Sequence, residues 1–242
     1  MRIMVISDVH ANADAFRIVL DDITHQRYDD LFFLGDLFIN GPEPENVYDM
    51  LDELHPSIWL QGNTDAWFAE IGSDDWKPAS KMDVYFKSLH DYAKERLTAG
   101  KIMAVCARPA QQSIERSGVR ILCVHGSPRS ISEAVGPDLC DTELNFMLSS
   151  LEETILLCGH SHKPWIHEDG TRLVLNSGSV GFCLDGDPRA SYGILDLSQE
   201  KPTCTIRRLK YDNGLVVKKL KENHFPITSR LESFILNARM PS

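Results

Sequence analysis

The sequence has no long apolar run and no excess of positive charge. None of its apolar stretches approaches the roughly 18 residues of a membrane span, and no apolar segment of the signal-peptide kind follows the first methionine. The formal net charge of −10 argues against a protein that coats nucleic acid, because that role needs a clustered positive field. A local cationic site stays open. We therefore expect a cytoplasmic protein without a membrane partner.

The chain also lacks C-x-x-C pairs, internal repeats and low-complexity tracts. Its six cysteines are dispersed through 242 residues, a distribution that favours free thiols in a reducing compartment over a disulfide framework. Hydrophobic residues make up 43% and charged residues 25% of the chain, which is typical of a globular protein with an ordinary core. Because no linker divides the chain, residues 1–242 are predicted to form a single domain.

Strands and helices alternate in the first part of the chain. Short apolar strands at 2–7, 31–34 and 57–60 each end in a polar loop, and helices follow. This alternation predicts an α/β fold with mainly parallel neighbours, in which a ligand site lies at the carboxyl ends of the strands. The polar residues at these ends are Asp8, His10, Asp36, Asn63 and Asp65.

The stretch 66–100 interrupts this rhythm. It contains Trp67, Phe68 and Trp76 and then an amphipathic helical pattern, which predicts a helical insertion leaning over the strand ends. Core packing is favoured for its aromatic residues over an exposed lid. Two hairpins are predicted later, with turns at Ser117-Gly118 and Asp169-Gly170. Peripheral helices are expected at about 211–242.

Three histidines follow later strands of the predicted fold. His125 comes after the strand at 119–124, and Gly159-His160-Ser161-His162 comes after the strand at 154–158. In an extended segment, residues two apart point to the same face, so His160 and His162 can present their imidazoles side by side from one turn. Neutral imidazoles bind zinc, iron, nickel or manganese.

The strand-end residues form five ordered blocks that resemble the signature of the calcineurin-like metallophosphoesterase superfamily. The blocks are D-x-H at 8–10, G-D at 35–36, G-N-T-D at 62–65, H at 125 and G-H-S-H at 159–162. The further motifs G-P-x-P-x-x-V, H-G-S-P-R and N-S-G-S-V-G are similar to the compact bacterial and archaeal phosphodiesterase-like branch, over residues 2 to about 197. The resemblance implies a four-layer α-β-β-α sandwich with two mixed β-sheets.

The same resemblance implies a site for two divalent metal ions, with Mn, Fe, Zn or Ni as candidates. Asp8, His10, Asp36 and His162 would hold one ion. Asp36, Asn63, His125 and His160 would hold the other, so that Asp36 bridges the two. The two ions outweigh the carboxylates and leave a cationic pocket that suits a phosphate. The expected nucleophile is a metal-bound hydroxide.

The residues with implied catalytic roles are Asp36, Asn63 and His125. Asn63, Arg129 and Arg189 are candidate substrate contacts, although surface salt bridges explain the two arginines equally well. The favoured function is hydrolysis of phosphodiesters in a small phosphorylated substrate, ahead of phosphomonoesters. The alternatives are a phosphoanhydride hydrolase acting on dinucleoside polyphosphates, a protein phosphatase, or a non-enzymatic metal-binding scaffold. A homo-oligomer is left open.

Thr64 departs from the pattern of the resembled family. Many relatives have a histidine at this position, where it protonates the leaving oxygen. A threonine hydroxyl is too weak an acid for that role, because general-acid catalysis works best with a pKa near the operating pH. We therefore expect a preference for good leaving groups. Asp65, which would orient that histidine, is predicted to support the site or to cap the following helix.

Overall fold

A computed structural model describes residues 1–239 of the chain. Ten strands and eight helices are found in this range. In chain order they are β1 (Arg2–Ile6), α1 (Ala13–His25), β2 (Asp30–Phe33), α2 (Pro44–Asp52), β3 (Ile58–Trp59), α3 (Asn63–Glu70), α4 (Lys81–Lys94), α5 (Ala99–Cys106), β4 (Gln111–Arg116), β5 (Val119–Val124), α6 (Asp141–Ser149), β6 (Ile155–Cys158), β7 (Trp165–Glu168), β8 (Leu173–Asn176), β9 (Ala190–Asp196), β10 (Thr203–Leu209), α7 (Asn213–Glu222) and α8 (Thr228–Asn237).

The strands form two mixed five-stranded sheets. The first has the order β10-β9-β1-β2-β3, in which β1, β2 and β3 are parallel while β9 and β10 run antiparallel to their neighbours. The second has the order β4-β5-β6-β8-β7, in which β5, β6 and β8 are parallel and the edge strands β4 and β7 are antiparallel. The predicted fold class, with two mixed sheets flanked by helices, is confirmed.

The four layers arise because side chains alternate between the two faces of each strand. In β1, Ile3 and Val5 belong to the core between the two sheets, which also contains Leu157 of β6. The intervening Met4 and Ile6 belong to a separate core, where the first sheet packs against α1 and α2. Because successive side chains of a strand point to opposite faces, one apolar strand is buried on both sides. The outer face of the second sheet packs against α6.

The hairpins and the cysteine prediction are confirmed. β4 pairs with β5 across a turn in which Ser117 and Gly118 both have positive φ, and β7 pairs with β8 across a turn that contains Gly170 at φ 89°. All six cysteines are free thiols. None of the helices within residues 1–239 is long and apolar enough to cross a membrane.

The stretch predicted as a helical insertion contains α4 and most of α3. Its character as an insertion and the single-domain assignment stay predictions. In the C-terminal region, α7 and α8 occupy most of the segment predicted to be helical, and its last three residues, 240–242, lie outside the described residues. Buried residues of α7 and α8 belong to the helical core of the first sheet, so these helices are packed onto the body of the fold.

Candidate metal centre

The candidate ligands gather where the parallel strands of both sheets end. Asp8, Asp36 and Asn63 follow β1, β2 and β3 of the first sheet, while His125 and His160 follow β5 and β6 of the second. The carboxyl ends of parallel strands lie at one edge of each sheet, and the stacked sheets bring the two edges together. Residues as far apart in the chain as 8 and 162 therefore become neighbours.

One group of contacts joins Asp8, His10 and His162. Their candidate ligand atoms all lie within 4.8 Å of one another. The two Nε2 atoms of His10 and His162 are 3.0 Å apart, and His162 Nε2 lies 3.2 Å from Asp8 Oδ1. All three residues are buried, so they form one compact set of nitrogen and oxygen donors.

A second group of contacts surrounds Asn63. Its Oδ1 lies 2.8 Å from His160 Nδ1 and 3.0 Å from His125 Nε2. Asp36 lies between the two groups, because its Oδ2 is 3.6 Å from His10 Nε2 and 3.5 Å from His125 Nε2. The structure thus brings together all seven residues of the predicted ligand set, with Asp36 in the central position.

Three of the histidines are oriented by backbone carbonyls. Nδ1 of His10 contacts the Ile39 carbonyl at 2.7 Å, and Nδ1 of His162 contacts the Phe182 carbonyl at 2.7 Å. Nδ1 of His125 is held in the same way, 2.8 Å from a carbonyl oxygen of residue 34. A carbonyl only accepts hydrogen bonds, so each Nδ1 is the donor and each Nε2 of a neutral ring turns a lone pair toward the cluster.

This arrangement fits a cation. If both rings are neutral, the facing Nε2 atoms of His10 and His162 set two lone pairs against each other at 3.0 Å, a repulsion that a bound cation or a proton on one ring relieves. The nearby Asp8 Oδ1 is buried and has no hydrogen-bond partner. A histidine whose second nitrogen is fixed by a carbonyl is the usual form of a metal ligand. The donor set of imidazole nitrogens and carboxylate oxygens suits zinc, iron, nickel or manganese.

The electrostatics of the cluster indicate the same demand for positive charge. Burial by itself raises the pKa of Asp8, but His162 and His10 beside it hold that pKa well below its ordinary value. Burial lowers the pKa of His125, but the Asp36 carboxylate outweighs this effect and raises that pKa to about 9. Two buried carboxylates therefore keep their charge only with a positive neighbour.

Several of the candidate ligand positions have a left-handed backbone. The φ angles are 56° at Asp8, 49° at His10, 60° at Asp36, 61° at His160 and 56° at His162. Non-glycine residues rarely adopt this conformation, which costs of order 1–3 kcal/mol and concentrates at functional sites. The strand ends therefore turn sharply and direct the side chains into the cluster.

The predicted extended geometry of His160 and His162 is wrong. β6 ends at Cys158, and the left-handed backbone at both histidines places them outside a strand. His160 contacts Asn63 and His162 contacts His10, so the two imidazoles join different groups of the cluster. The alternation rule for strands does not apply to a turn of this kind.

The small-residue loop at 176–181 packs on the Asp8 turn. The Ser179 hydroxyl and the Gly181 amide both donate to the Asp8 carbonyl, at 2.8 and 2.9 Å. A Cβ added to Gly181 would lie 2.4 Å from the carbonyl oxygen of Val9. The small residues of this loop therefore allow it to pack closely on the backbone beneath Asp8.

A sequence profile of the calcineurin-like phosphoesterase superfamily domain matches residues 1–200. The chain belongs to this superfamily. The matched range includes all seven clustered side chains, and membership confirms the prediction that the chain is a phosphoesterase. Enzymes of the superfamily depend on metal ions, in agreement with the clustered Asp and His side chains.

Three proteins are similar in sequence to this chain over most of its length. A metallophosphoesterase of known structure from Sphaerobacter thermophilus is 26% identical, with a TM-score of 0.80 over 98% of this chain and 99% of its own. An uncharacterized protein of Methanocaldococcus jannaschii is 26% identical over 241 positions, covering 93% of each chain. The phosphodiesterase YfcE of Escherichia coli is 27% identical over 206 positions, covering 81% of this chain and 88% of its own.

The departure of the chain from the superfamily pattern lies inside the cluster. The Thr64 side chain is buried and its hydroxyl has no hydrogen-bond partner, while its amide donates to Asp36 Oδ1 at 2.9 Å. The neighbouring Asp65 carboxylate accepts from the amides of Asp36, Leu37 and Gly62 at 2.9–3.0 Å. Asp65 therefore caps α3 and ties it to the end of β2, which confirms its predicted supporting role.

Neither arginine predicted to contact substrate lines the cavity at the cluster. Arg129 Nε lies 3.0 Å from a Glu133 carboxylate oxygen, and Arg189 Nε lies 3.0 Å from both carboxylate oxygens of Asp187. These ion pairs are the surface salt bridges that the sequence supports equally well. A role for either residue in substrate binding stays a prediction.

A cavity of about 210 Å³ opens over the cluster. His10, Asp36, Asn63, His160 and His162 form its inner end. Aromatic side chains of α3, α4 and α8 form much of the rest. Of the two aromatic residues at the start of the predicted insertion, residue 68 is in the core while residue 67 lines the cavity.

Arg230 and Phe234 are cavity residues that sequence reasoning missed. Both belong to α8 and line the cavity together with the metal-centre histidines. They lie more than 60 residues after the last motif block, beyond residues 1–200, which the superfamily profile matches. The only sequence signal was the amphipathic pattern of the C-terminal helix, which does not indicate what its partly buried face contacts.

Proposed function

We propose that the chain is a dinuclear metal-dependent phosphodiesterase. Asp8, His10, Asp36 and His162 would hold one divalent ion, and Asp36, Asn63, His125 and His160 would hold the other. The observation that carries this proposal is the pair of His10 and His162 Nε2 atoms, 3.0 Å apart with both Nδ1 atoms bound to carbonyls. The central position of the Asp36 carboxylate supports its role as the bridging ligand.

When bound, the two ions would supply an electrophilic site for the phosphate and would activate a water molecule. The protein side chains prepare this site. Backbone carbonyls fix the rings of His10, His125 and His162. The Asp65 carboxylate fixes the Asp36 backbone. Such positioning reduces the rearrangement that the reaction would otherwise require.

The preference for phosphodiesters has separate support. The name of YfcE, 27% identical to this chain, is that of a phosphodiesterase. The missing histidine at position 64 further favours substrates whose leaving group needs little protonation. We infer a small phosphorylated substrate, manganese as one of the candidate metals, and a cytoplasmic location that agrees with six free thiols.

Metal content is the direct test. Metal-stripped protein reloaded with Mn²⁺ should bind about two ions per chain, measured by mass spectrometry, and should show an exchange-coupled manganese signal by electron paramagnetic resonance. His160→Ala and His162→Ala should each lose about one ion and the coupled signal. His25→Ala, on an exposed histidine of α1, is the matched control and should behave as the parent.

The activity panel then assigns the bond type. The reloaded enzyme should hydrolyse bis(4-nitrophenyl) phosphate faster than 4-nitrophenyl phosphate. Faster cleavage of pyrophosphate-linked dinucleotides or of phosphopeptides would refute the diester preference while keeping the enzyme class. If the protein neither takes up metal nor hydrolyses any compound of the panel, the dinuclear proposal is wrong.

A further inference from the structure

The cavity above the metal centre has two aromatic walls. The first wall consists of Trp67 of α3 with Phe86 and Tyr85 of α4, whose neighbouring ring centroids are 4.6 and 5.7 Å apart. The second wall consists of Phe182 and Phe234, which are stacked with centroids 5.6 Å apart. Each wall begins beside the metal centre. Trp67 is one helical turn from Asn63, and the Phe182 ring centroid lies 4.7 Å from that of His162.

Arg230 connects the outer ends of the two walls. Its guanidinium carbon lies 5.0 Å from the Tyr85 ring centre and 6.0 Å from the Phe234 ring centre. Both distances are within the range of cation–π contact. Arg230 is therefore separated from the metal ligands by an aromatic wall on each side.

The Arg230 guanidinium has unused hydrogen-bonding capacity. Its Nε is buried and has no hydrogen-bond partner. Within residues 1–239, no carboxylate oxygen lies within 4.0 Å of it, whereas Arg129 and Arg189 are both paired with acids. Within the same residues, the Nη1 atom of Arg230 has only a long contact of 4.0 Å with the Met82 sulfur. Arg230 lines the cavity, so its guanidinium can donate to an anionic group of a ligand there.

We propose that the two walls and Arg230 select the organic part of the substrate. The substrate class is a phosphodiester with a planar aromatic substituent that carries a second negative charge. The phosphate would lie at the metal centre, the ring between the walls, and the distal anion at Arg230. Aromatic side chains stack favourably on planar rings. The inference rests on the proposed phosphodiesterase function and adds the identity of the substituent.

A matched pair of diesters tests the role of Arg230. 4-Nitrophenyl phenyl phosphate and 4-nitrophenyl 4-carboxyphenyl phosphate release the same nitrophenolate and differ only in the distal carboxylate. The Mn²⁺-loaded parent should favour the carboxylated diester by roughly 10- to 100-fold in kcat/KM, mainly through KM, because a charge-assisted hydrogen bond has this strength. Arg230→Met should abolish the preference, and Arg230→Lys should keep part of it.

The walls are tested by replacing the phenyl group with a methyl group. Parent protein should favour 4-nitrophenyl phenyl phosphate over 4-nitrophenyl methyl phosphate, and Trp67→Leu should reduce that ratio. Arg17→Met, on an exposed arginine of α1, is the control and should keep both ratios. Circular dichroism and metal content establish that each variant is folded and loaded.

The outcomes separate the two proposals. A parent enzyme that hydrolyses both phenyl diesters with equal kcat/KM refutes the role of Arg230 and leaves the phosphodiesterase proposal intact. A loaded parent that hydrolyses none of the diesters refutes the phosphodiesterase proposal itself. A carboxylate preference that survives in Arg230→Met also overturns the inference, since the preference would then arise from another group.

Discussion

Thr64→His should restore a proton donor to the metal centre. Thr64 is a lining residue of the cavity but is only 5% exposed, and its buried hydroxyl has no hydrogen-bond partner. A larger side chain at this position can therefore extend into the cavity instead of into the core. An imidazole there would be able to protonate the oxygen of a departing alcohol, which a threonine hydroxyl cannot do at neutral pH.

The size of the gain follows from the hydrogen bonds of Asp65. A positioned general acid contributes typically 10²–10⁴-fold, and the upper part of that range needs a carboxylate to orient the imidazole. The Asp65 carboxylate already accepts from three backbone amides. We therefore expect a gain of roughly 10²-fold for a poor leaving group such as an alkoxide. For 4-nitrophenolate, which needs no proton to depart, little gain is expected.

The assay compares kcat for a series of phosphodiesters with leaving groups of increasing pKa. Thr64→Gln, similar in size to histidine but without an acidic proton, is the control for altered packing. The slope of log kcat against leaving-group pKa should be shallower in Thr64→His than in the parent and in Thr64→Gln. Equal slopes in all three proteins would show that the missing histidine does not determine the leaving-group preference.

Two further substitutions test the supports of the fold. Asp65→Ala leaves three buried amides without an acceptor. The free energy of unfolding should fall by roughly 3 kcal/mol, which is the lower end of the cost of three such groups because a buried charge is also removed. Urea unfolding measures this change, and the exposed Asp75→Ala is the control that should change little. Burial by itself raises the pKa of Asp22, but Arg207 and Tyr192, bound at 2.7 and 2.6 Å, lower it. The stability that this depressed pKa contributes is present above about pH 4 and is lost as the pH falls through the folded-state pKa. In urea titrations, Asp22→Asn should therefore destabilise the protein most at neutral pH and less at pH 3.

The parts of the fold that were predictable are encoded locally. The apolar strand at the start of the chain and the Asp169-Gly170 turn each follow from a few adjacent residues. The start of α1 is also encoded locally, because Asn12 precedes the helix and its Oδ1 accepts from the Ala15 amide at 3.1 Å. The clustering of the seven candidate ligands was predictable for a different reason, because an ordered series of motif blocks constrains seven positions together.

The outer part of the cavity depends on contacts that no local pattern encodes. Arg230 lies 5.0 Å from the Tyr85 ring although 145 positions separate them in the chain. Whether an arginine pairs with an acid is equally hard to predict, as the pairing of Arg129 with Glu133 shows. The left-handed turn at His160 and His162 was missed because a histidine gives no sign of this conformation in a sequence.

At the metal centre, the left-handed backbone places thermal stability and activity in opposition. Glycine would adopt the conformation of Asp8, His10, Asp36, His160 or His162 without strain, but it would remove the donor atom. Laboratory evolution under selection for heat resistance alone is therefore expected to replace the residues at these five positions first. An engineering programme that seeks a sturdier enzyme must hold them constant and draw its improvements from the cores on either side of the sheets.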